Sequence, residues 1–182
     1  MMLLMGGQAC ILYGAAEFSR DADLAVLLST ENLDRLRAAL LELEAERIAV
    51  PPFEQEYLER GHAVHFRCQD PDARGFRIDV MARMRGVAPF EELWSRRTTL
   101  DLSANLHVDL LSLPDLVTSK KTQRDKDWPM IRRLLEADYQ QGQSEPAAER
   151  VAFWLRELRT AELLVEVVHD YPEQTAAVQA ER

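Results

Sequence analysis

Cysteine is scarce in this chain, with Cys10 and Cys68 the only two in 182 residues. That count excludes the disulfide framework that staples small secreted domains, and both thiols are expected to be reduced and partly buried. Long apolar runs are missing as well. A stretch such as Leu24 to Leu28 falls far short of the ~20 residues that cross a bilayer, so no membrane partner is expected. The opening Met-Met-Leu-Leu-Met carries no basic residue and runs straight into Gly6-Gly7, which is not the pattern of a signal peptide. A cytoplasmic setting is the expectation. No His/Cys spacing suggests zinc, and no nucleophile-elbow motif supports Ser/His/Asp hydrolysis. Internal repeats and low-complexity tracts are absent.

Basic residues are outnumbered, 22 Lys and Arg against 31 Asp and Glu, for a net charge of −9. Such a balance weighs against a general nucleic-acid coat, because phosphate neutralisation needs clustered cations. The distribution is uneven, however. Thr118 to Arg133 holds six basic residues (Lys120, Lys121, Arg124, Lys126, Arg132, Arg133) and two acidic ones (Asp125, Asp127). One local basic patch on an acidic body suits a compact polyanion, such as a nucleoside triphosphate, better than a long duplex.

What remains is ordinary globular material: 47% hydrophobic and 29% charged residues, enough for one packed domain with a helical appendage. Residues 2–5 read as a short buried strand ending at Gly6-Gly7, and Gln8 to Ala16 as a helix. Asp21 to Leu28 alternates, with Ala22, Leu24, Val26 and Leu28 on one face and Asp21 and Asp23 on the other. Ser29 or Thr30 caps a helix carrying Leu33, Leu36, Leu40 and Leu43. Val64 to Cys68 and Phe76 to Met81 read as strands, the second with Arg77 and Asp79 opposite Phe76, Ile78 and Val80. Leu106 to Leu111 is another strand. Ser112-Leu113-Pro114-Asp115 has the form of a capping box, and Asp127-Trp128-Pro129 starts a second helix. Gly142 to Pro146 reads as a linker before one long amphipathic helix through Val151, Leu155, Leu158, Val165 and Val168. The order predicts an α/β (α+β) domain over 1–141, a small mixed sheet flanked by helices, and a helical extension over 142–182.

The chemistry concentrates in few places. Two carboxylates two residues apart on a strand share a face, with Cα atoms about 7 Å apart. Asp21 and Asp23 in that arrangement resist ionising together, which makes a divalent cation a natural partner. Mg²⁺ prefers carboxylate oxygens and shares its sphere with substrate phosphates. Gly6-Gly7, between a strand and a helix, lets a phosphate approach the backbone closely. Asp79, on the polar face of a separate strand, supplies a third carboxylate for a two-metal clamp. The cations near Lys120 and Lys121 can neutralise a triphosphate. His65 reads as a structural or exposed histidine, and Trp94, Trp128 and Trp154 as core or helix anchors.

As a set, Gly6-Gly7, a gap of 13 residues, Asp21-Ala22-Asp23-Leu24, and Asp79 within Phe-Arg-Ile-Asp-Val resemble the signature of DNA polymerase beta-type nucleotidyltransferases. The stretch Leu116 to Leu135 is similar to the Lys…Arg…Lys-Asp segment of minimal nucleotidyltransferases, which include abortive-infection toxins of type IV toxin–antitoxin systems and antibiotic-modifying enzymes. The resemblance covers residues 2–136. It implies the nucleotidyltransferase fold, with Gly6 and Gly7 holding the triphosphate and Asp21 and Asp23 binding Mg²⁺, two ions in the active complex. It makes Asp79 the third ligand or the group that activates the acceptor hydroxyl, and it sets Lys121 and Arg124 on phosphate, with Asp127 closing the Lys-Asp element. The implied reaction moves a nucleoside monophosphate from an NTP to a hydroxyl of RNA, protein or a small molecule. Where that family often has Gly-Ser, this chain has Gly-Gly. A second reading is a non-catalytic module of the same fold, regulatory in a toxin–antitoxin pair. The C-terminal helix would mediate a homodimer, and an antitoxin-like protein is the other partner expected.

Overall fold

The structure, a computed structural model, describes residues 1–121 and 127–181. Strand β1 (Met2–Met5) runs directly into helix α1 (Gly6–Leu12), and β2 (Asp21–Val26) returns antiparallel to β1 with Met5 opposite Asp23. Helix α2 (Thr30–Glu42) starts at Ser29, whose side-chain oxygen accepts a hydrogen bond from the Asn32 N–H at 3.3 Å, the expected N-cap. A short β3 (Glu46–Arg47) and α3 (Gln55–Glu59) lead to β4 (Val64–Arg67) and β5 (Arg77–Met81). Then come α4 (Phe90–Ser95), β6 (Thr98–Ser103), β7 (Leu106–Leu110) and α5 (Leu113–Lys121). Ser112 caps α5: the Asp115 N–H donates to its Oγ at 3.3 Å, and that hydroxyl donates to the Asp115 carboxylate at 2.6 Å. Helices α6 (Trp128–Gly142), α7 (Ala148–Glu157), α8 (Ala161–Asp170) and α9 (Pro172–Ala180) follow.

The described strands form one seven-stranded mixed sheet in the order β3-β4-β5-β2-β1-β7-β6. The pairs β2–β5 and β1–β7 are parallel and the rest antiparallel. An α+β fold with a helical C-terminal part is therefore the architecture. Period-two alternation splits the apolar side chains between two cores. On one face Leu3, Met5 and Ala25 pack with residues of α1, α5 and α6, including Leu116, Ile131 and Leu134. On the other, Val26, Ile78, Val80, Val64 and Phe66 pack on Leu33 and Leu40 of α2 and Leu58 of α3. Each fully buried side chain of this size contributes about 1.5–3 kcal/mol.

The expected single long C-terminal helix is instead three. The chain leaves helical geometry at Leu158 (φ −56°, ψ 136°) and again at Tyr171 (φ −127°, ψ 63°), just before Pro172. Val151 and Trp154 of α7, Leu158 just after it, and Val167 of α8 are buried in the same core as Leu3 and Leu116, whereas Val165 stays exposed. Trp154 donates from Nε1 to Asp138 at 2.7 Å and meets the Tyr139 ring edge-on, centroids 5.1 Å apart. The segment after Gly142 thus shares the core of the sheet. Among the described residues no helix is long and apolar enough to cross a membrane.

Candidate functional site

Where α1 and α5 leave β2, β5 and β4 uncovered, a cavity of about 710 Å³ opens on the face bearing the aspartates. Its floor is set by register. Parallel β2 and β5 pair Asp23 with Asp79 and Asp21 with Arg77, and antiparallel β4 pairs His65 with Asp79. Neighbours across a sheet point to the same side. Asp21, Asp23 and Asp79 therefore line one row, and all three border the cavity.

Asp23 sits at the β1–α1 junction. A Cβ placed on Gly6 would lie 1.7 Å from its Oδ2, so only glycine leaves room for this carboxylate, and Gly6 also takes a positive φ of 63°. The Gly7 N–H hydrogen-bonds the Asp23 carboxylate. Gly7 itself admits Ser19, whose Oγ would lie 2.3 Å from an added Cβ and which donates to Asp21 Oδ1 at 3.1 Å. Burial pushes the Asp23 carboxyl above the usual carboxylate range, and the charges of Asp21 and Asp79 push it further; Lys120 and the Gly7 N–H oppose them. Negative charge is thus in excess at this point of the row.

Asp79 is buried, 7% exposed, and held from two sides. Arg77 Nη2 donates to its two oxygens at 2.8 and 3.2 Å, and His65 Nδ1 stands 2.8 Å from Oδ1. The His65 contact is a close approach and not an aligned hydrogen bond, since Nδ1 has no partner of hydrogen-bonding geometry. Among the described residues no three His, Cys, Asp or Glu side chains are already drawn together around a common point. The backbone sets the row, and the carboxylate of Asp79 lies closed on Arg77. The donor chemistry suits a hard divalent cation: three carboxylates on one face, one of them costly to ionise without a nearby positive charge.

On the far side of the row, Lys120 of α5 borders the cavity and faces both Asp23 and the Cys10 thiol, whose proton burial holds on more tightly than usual. Asp127, at the start of α6, lines the same wall. Lys121 does not. It pairs with Glu157 of α7, away from the cavity, because one residue along a helix turns a side chain by about 100°. Lys121, expected from sequence to contact phosphate, is thus engaged in that ion pair, and Lys120 is the lysine that borders the cavity. Arg124 lies outside the described residues, as does Lys126.

Gly6, Gly7, Asp21, Asp23, Asp79 and Asp127 are therefore brought to one cavity. His65, read from sequence as structural or exposed, and Arg77, placed there on the face of Asp79 without a role, join them, as do Arg83 and Arg85 from the β5–α4 segment. The alternation of Val64 and Phe66 assigns His65 a face; what was missing was the pairing that sets β4 beside β5. The two cysteines, both free and buried, take no part in a bridge. Of the tryptophans, Trp154 is fully buried as expected of an anchor, while Trp128 is 43% exposed. A scan against protein-family models and a search of the curated proteins each return no match to this chain.

Proposed function

We propose that the chain is a Mg²⁺-dependent nucleotidyltransferase that moves a nucleoside monophosphate from an NTP to an acceptor hydroxyl. The observation that carries the reading is the register of β2 on β5, which aligns Asp23 with Asp79 and leaves Asp21 on the same face, beside the Gly6 turn and Lys120. In this reading Asp21, Asp23 and Asp79 hold the metal, two ions in the loaded site. Bound Mg²⁺ would supply charge neutralisation at the transferred phosphoryl group and lower the pKa of the attacking hydroxyl.

The chain's own part is positioning. Gly6 and Gly7 carry no side chain of their own, which leaves room at the β1–α1 turn for the Asp23 carboxylate and the Ser19 hydroxyl beside an incoming triphosphate. Lys120 offers a point charge to its oxygens, the role expected of Lys121 from sequence. The acceptor oxygen forms a bond to the α-phosphorus in line with the bridging oxygen to the β-phosphorus. That second bond breaks, pyrophosphate leaves with its electron pair, and the acceptor proton passes to Asp79 or water. Opening the Arg77–Asp79 contact is required first, because the same carboxylate oxygens cannot serve both partners.

The experiment is transfer from α-labelled NTP by the wild type and by the Asp21→Asn/Asp23→Asn double variant. The variant is expected to lose transfer by more than about a hundredfold, the scale of removing transition-state charge stabilisation, with an unchanged circular dichroism spectrum. Retained transfer refutes the reading.

A second reading is a nucleotidyltransferase-fold module that binds or regulates without turnover, as one member of a toxin–antitoxin pair. It is favoured by the closed Arg77–Asp79 pair and by the Gly7 N–H being taken by Asp23. Thermal shift separates the two. Stabilisation only when Mg²⁺ and an NTP are both present supports the enzyme, and none under any combination supports the module.

A further inference from the structure

The sheet order sets what flanks the aspartate row. Reading from β4 through β5 and β2 to β1 and then α5, the cavity passes from His65, through Arg77 with Asp79, then Asp21 with Asp23, to Gly6 and Lys120. Positive charge therefore lies on both sides of the row. On the α5 side stands Lys120. On the β4 side stand Arg77, Arg83 and Arg85, the last two on the segment that leaves β5 four and six residues beyond Asp79.

The arginines of the β4 side are under-used. Arg83 and Arg85 are exposed, and among the described residues neither makes an ion pair or a side-chain hydrogen bond. Arg77 spends one nitrogen on Asp79, while its Nε is buried with no hydrogen-bond partner. Elsewhere on this acidic chain arginines are commonly paired, as Arg35 is with Glu31, Arg96 with Asp115 and Arg132 with Glu136. Three guanidiniums that border one cavity with donors to spare present planar, bidentate sites for phosphate oxygens. Gly61 and Ala63, also on that wall, leave it open to a bulky ligand.

We infer that the β4 side of the cavity is an acceptor subsite for a phosphate ester that carries the attacking hydroxyl. Arg83 and Arg85 take the phosphate, and Arg77 joins them when it releases Asp79. This rests on the nucleotidyl-transfer reading and adds the acceptor's chemistry to it: two anionic reactants approach from opposite flanks, and the aspartates with their cations lie between. A net charge of −9 favours a small ester or a single strand end over a long duplex.

The test is a titration of the full chain by calorimetry with three probes: a ribonucleoside 5′-monophosphate, a short 5′-phosphorylated oligoribonucleotide, and the uncharged nucleoside. Each is run with Mg²⁺, with and without a non-hydrolysable NTP. The inference expects the phosphorylated probes to bind at least tenfold more tightly than the nucleoside. The Arg83→Ala/Arg85→Ala variant should erase that preference, Arg83→Lys/Arg85→Lys should restore part of it, and NTP affinity should stay within twofold throughout. A stronger signal from the mononucleotide identifies a small-molecule acceptor; a stronger one from the oligonucleotide identifies a strand end. Equal binding of nucleoside and phosphorylated probes, or a preference that survives loss of both arginines, overturns the inference. If the NTP fails to bind while the phosphate preference and its arginine dependence hold, the subsite stands and the transferase reading falls.

Discussion

Asp23 of β2 and Asp79 of β5 are direct register partners on neighbouring parallel strands, although 55 residues separate them in sequence. Two carboxylates so placed on one face repel, and the structure divides the load unequally. Asp79 is balanced by Arg77, while Asp23 is buried beside Asp21 with, among the described residues, Lys120 and a backbone N–H in support.

That inequality has a pH signature. The Asp23 carboxyl is raised by burial, then by Asp21 and Asp79, so between its ordinary value near 4 and its raised value the folded chain binds more protons than the unfolded one. Its contribution to stability is therefore lost as pH rises through that window. Asp23→Asn removes the penalty. The variant is expected to be more stable than wild type at pH 7 without metal, with the difference shrinking as pH falls toward 4. Urea unfolding across pH, with no added divalent ion, is the check.

Gly6→Ala tests the close approach. Its Cβ would meet Asp23 Oδ2 at 1.7 Å, and the φ of 63° adds about 1–2 kcal/mol for a residue with a side chain. The variant is expected to lose at least that much stability and to lose any stabilisation by Mg²⁺ with NTP, because Asp23 must move. Gly75, also at positive φ but with nothing within 4 Å of an added Cβ, is the control: Gly75→Ala costs strain alone and keeps the ligand response.

Lys120 and Lys121 should separate cleanly. Lys120→Ala is expected to weaken NTP binding about tenfold or more, the scale of losing a charged hydrogen bond, and to lower stability at pH 7, because the buried Asp23 carboxylate loses a neighbouring cation. Lys121→Ala leaves Glu157, 17% exposed, with only the more distant Arg159 at 4.0 Å among the described residues and is expected to cost about 1–3 kcal/mol, with NTP affinity nearly unchanged. Calorimetry and denaturant unfolding on both variants decide it.

Much of this site is legible in the sequence because it rests on alternation. Asp21-Ala22-Asp23-Leu24 and Arg77-Ile78-Asp79-Val80 each announce a polar and an apolar face, and Gly6-Gly7 marks a turn that tolerates no side chain. Strand adjacency is not written locally. That β5 lies parallel beside β2, and β4 beside β5, follows from long-range packing of Ile78, Val80, Val64 and Phe66 on α2 and α3. His65 was hidden for that reason, whereas alternation already placed Arg77 on the face of Asp79. Strand β6, reading Thr-Thr-Leu-Asp-Leu-Ser at the sheet edge, has too little apolar content to stand out. The apolar stripe from Val151 to Val168 looks continuous at helical spacing, yet the chain turns at Leu158 so that Trp154 and Val167 can enter one core.

The shared core makes a further demand on the C-terminal helices. Trp154→Ala removes a fully buried ring and its hydrogen bond to Asp138, and it is expected to cost about 3–5 kcal/mol. Unfolding should remain one cooperative transition. Two separate transitions in the wild type would mean that residues after Gly142 fold as an independent unit.

The most direct test of the central claim is anomalous diffraction from crystals grown with Mn²⁺ and a non-hydrolysable NTP. The account predicts metal density among the carboxylates of Asp21, Asp23 and Asp79, about 2.0–2.2 Å from their oxygens, with Arg77 swung off Asp79 and the triphosphate toward Lys120. Metal bound elsewhere, or a cavity in which Arg77 still grips Asp79 with nucleotide present, would contradict it.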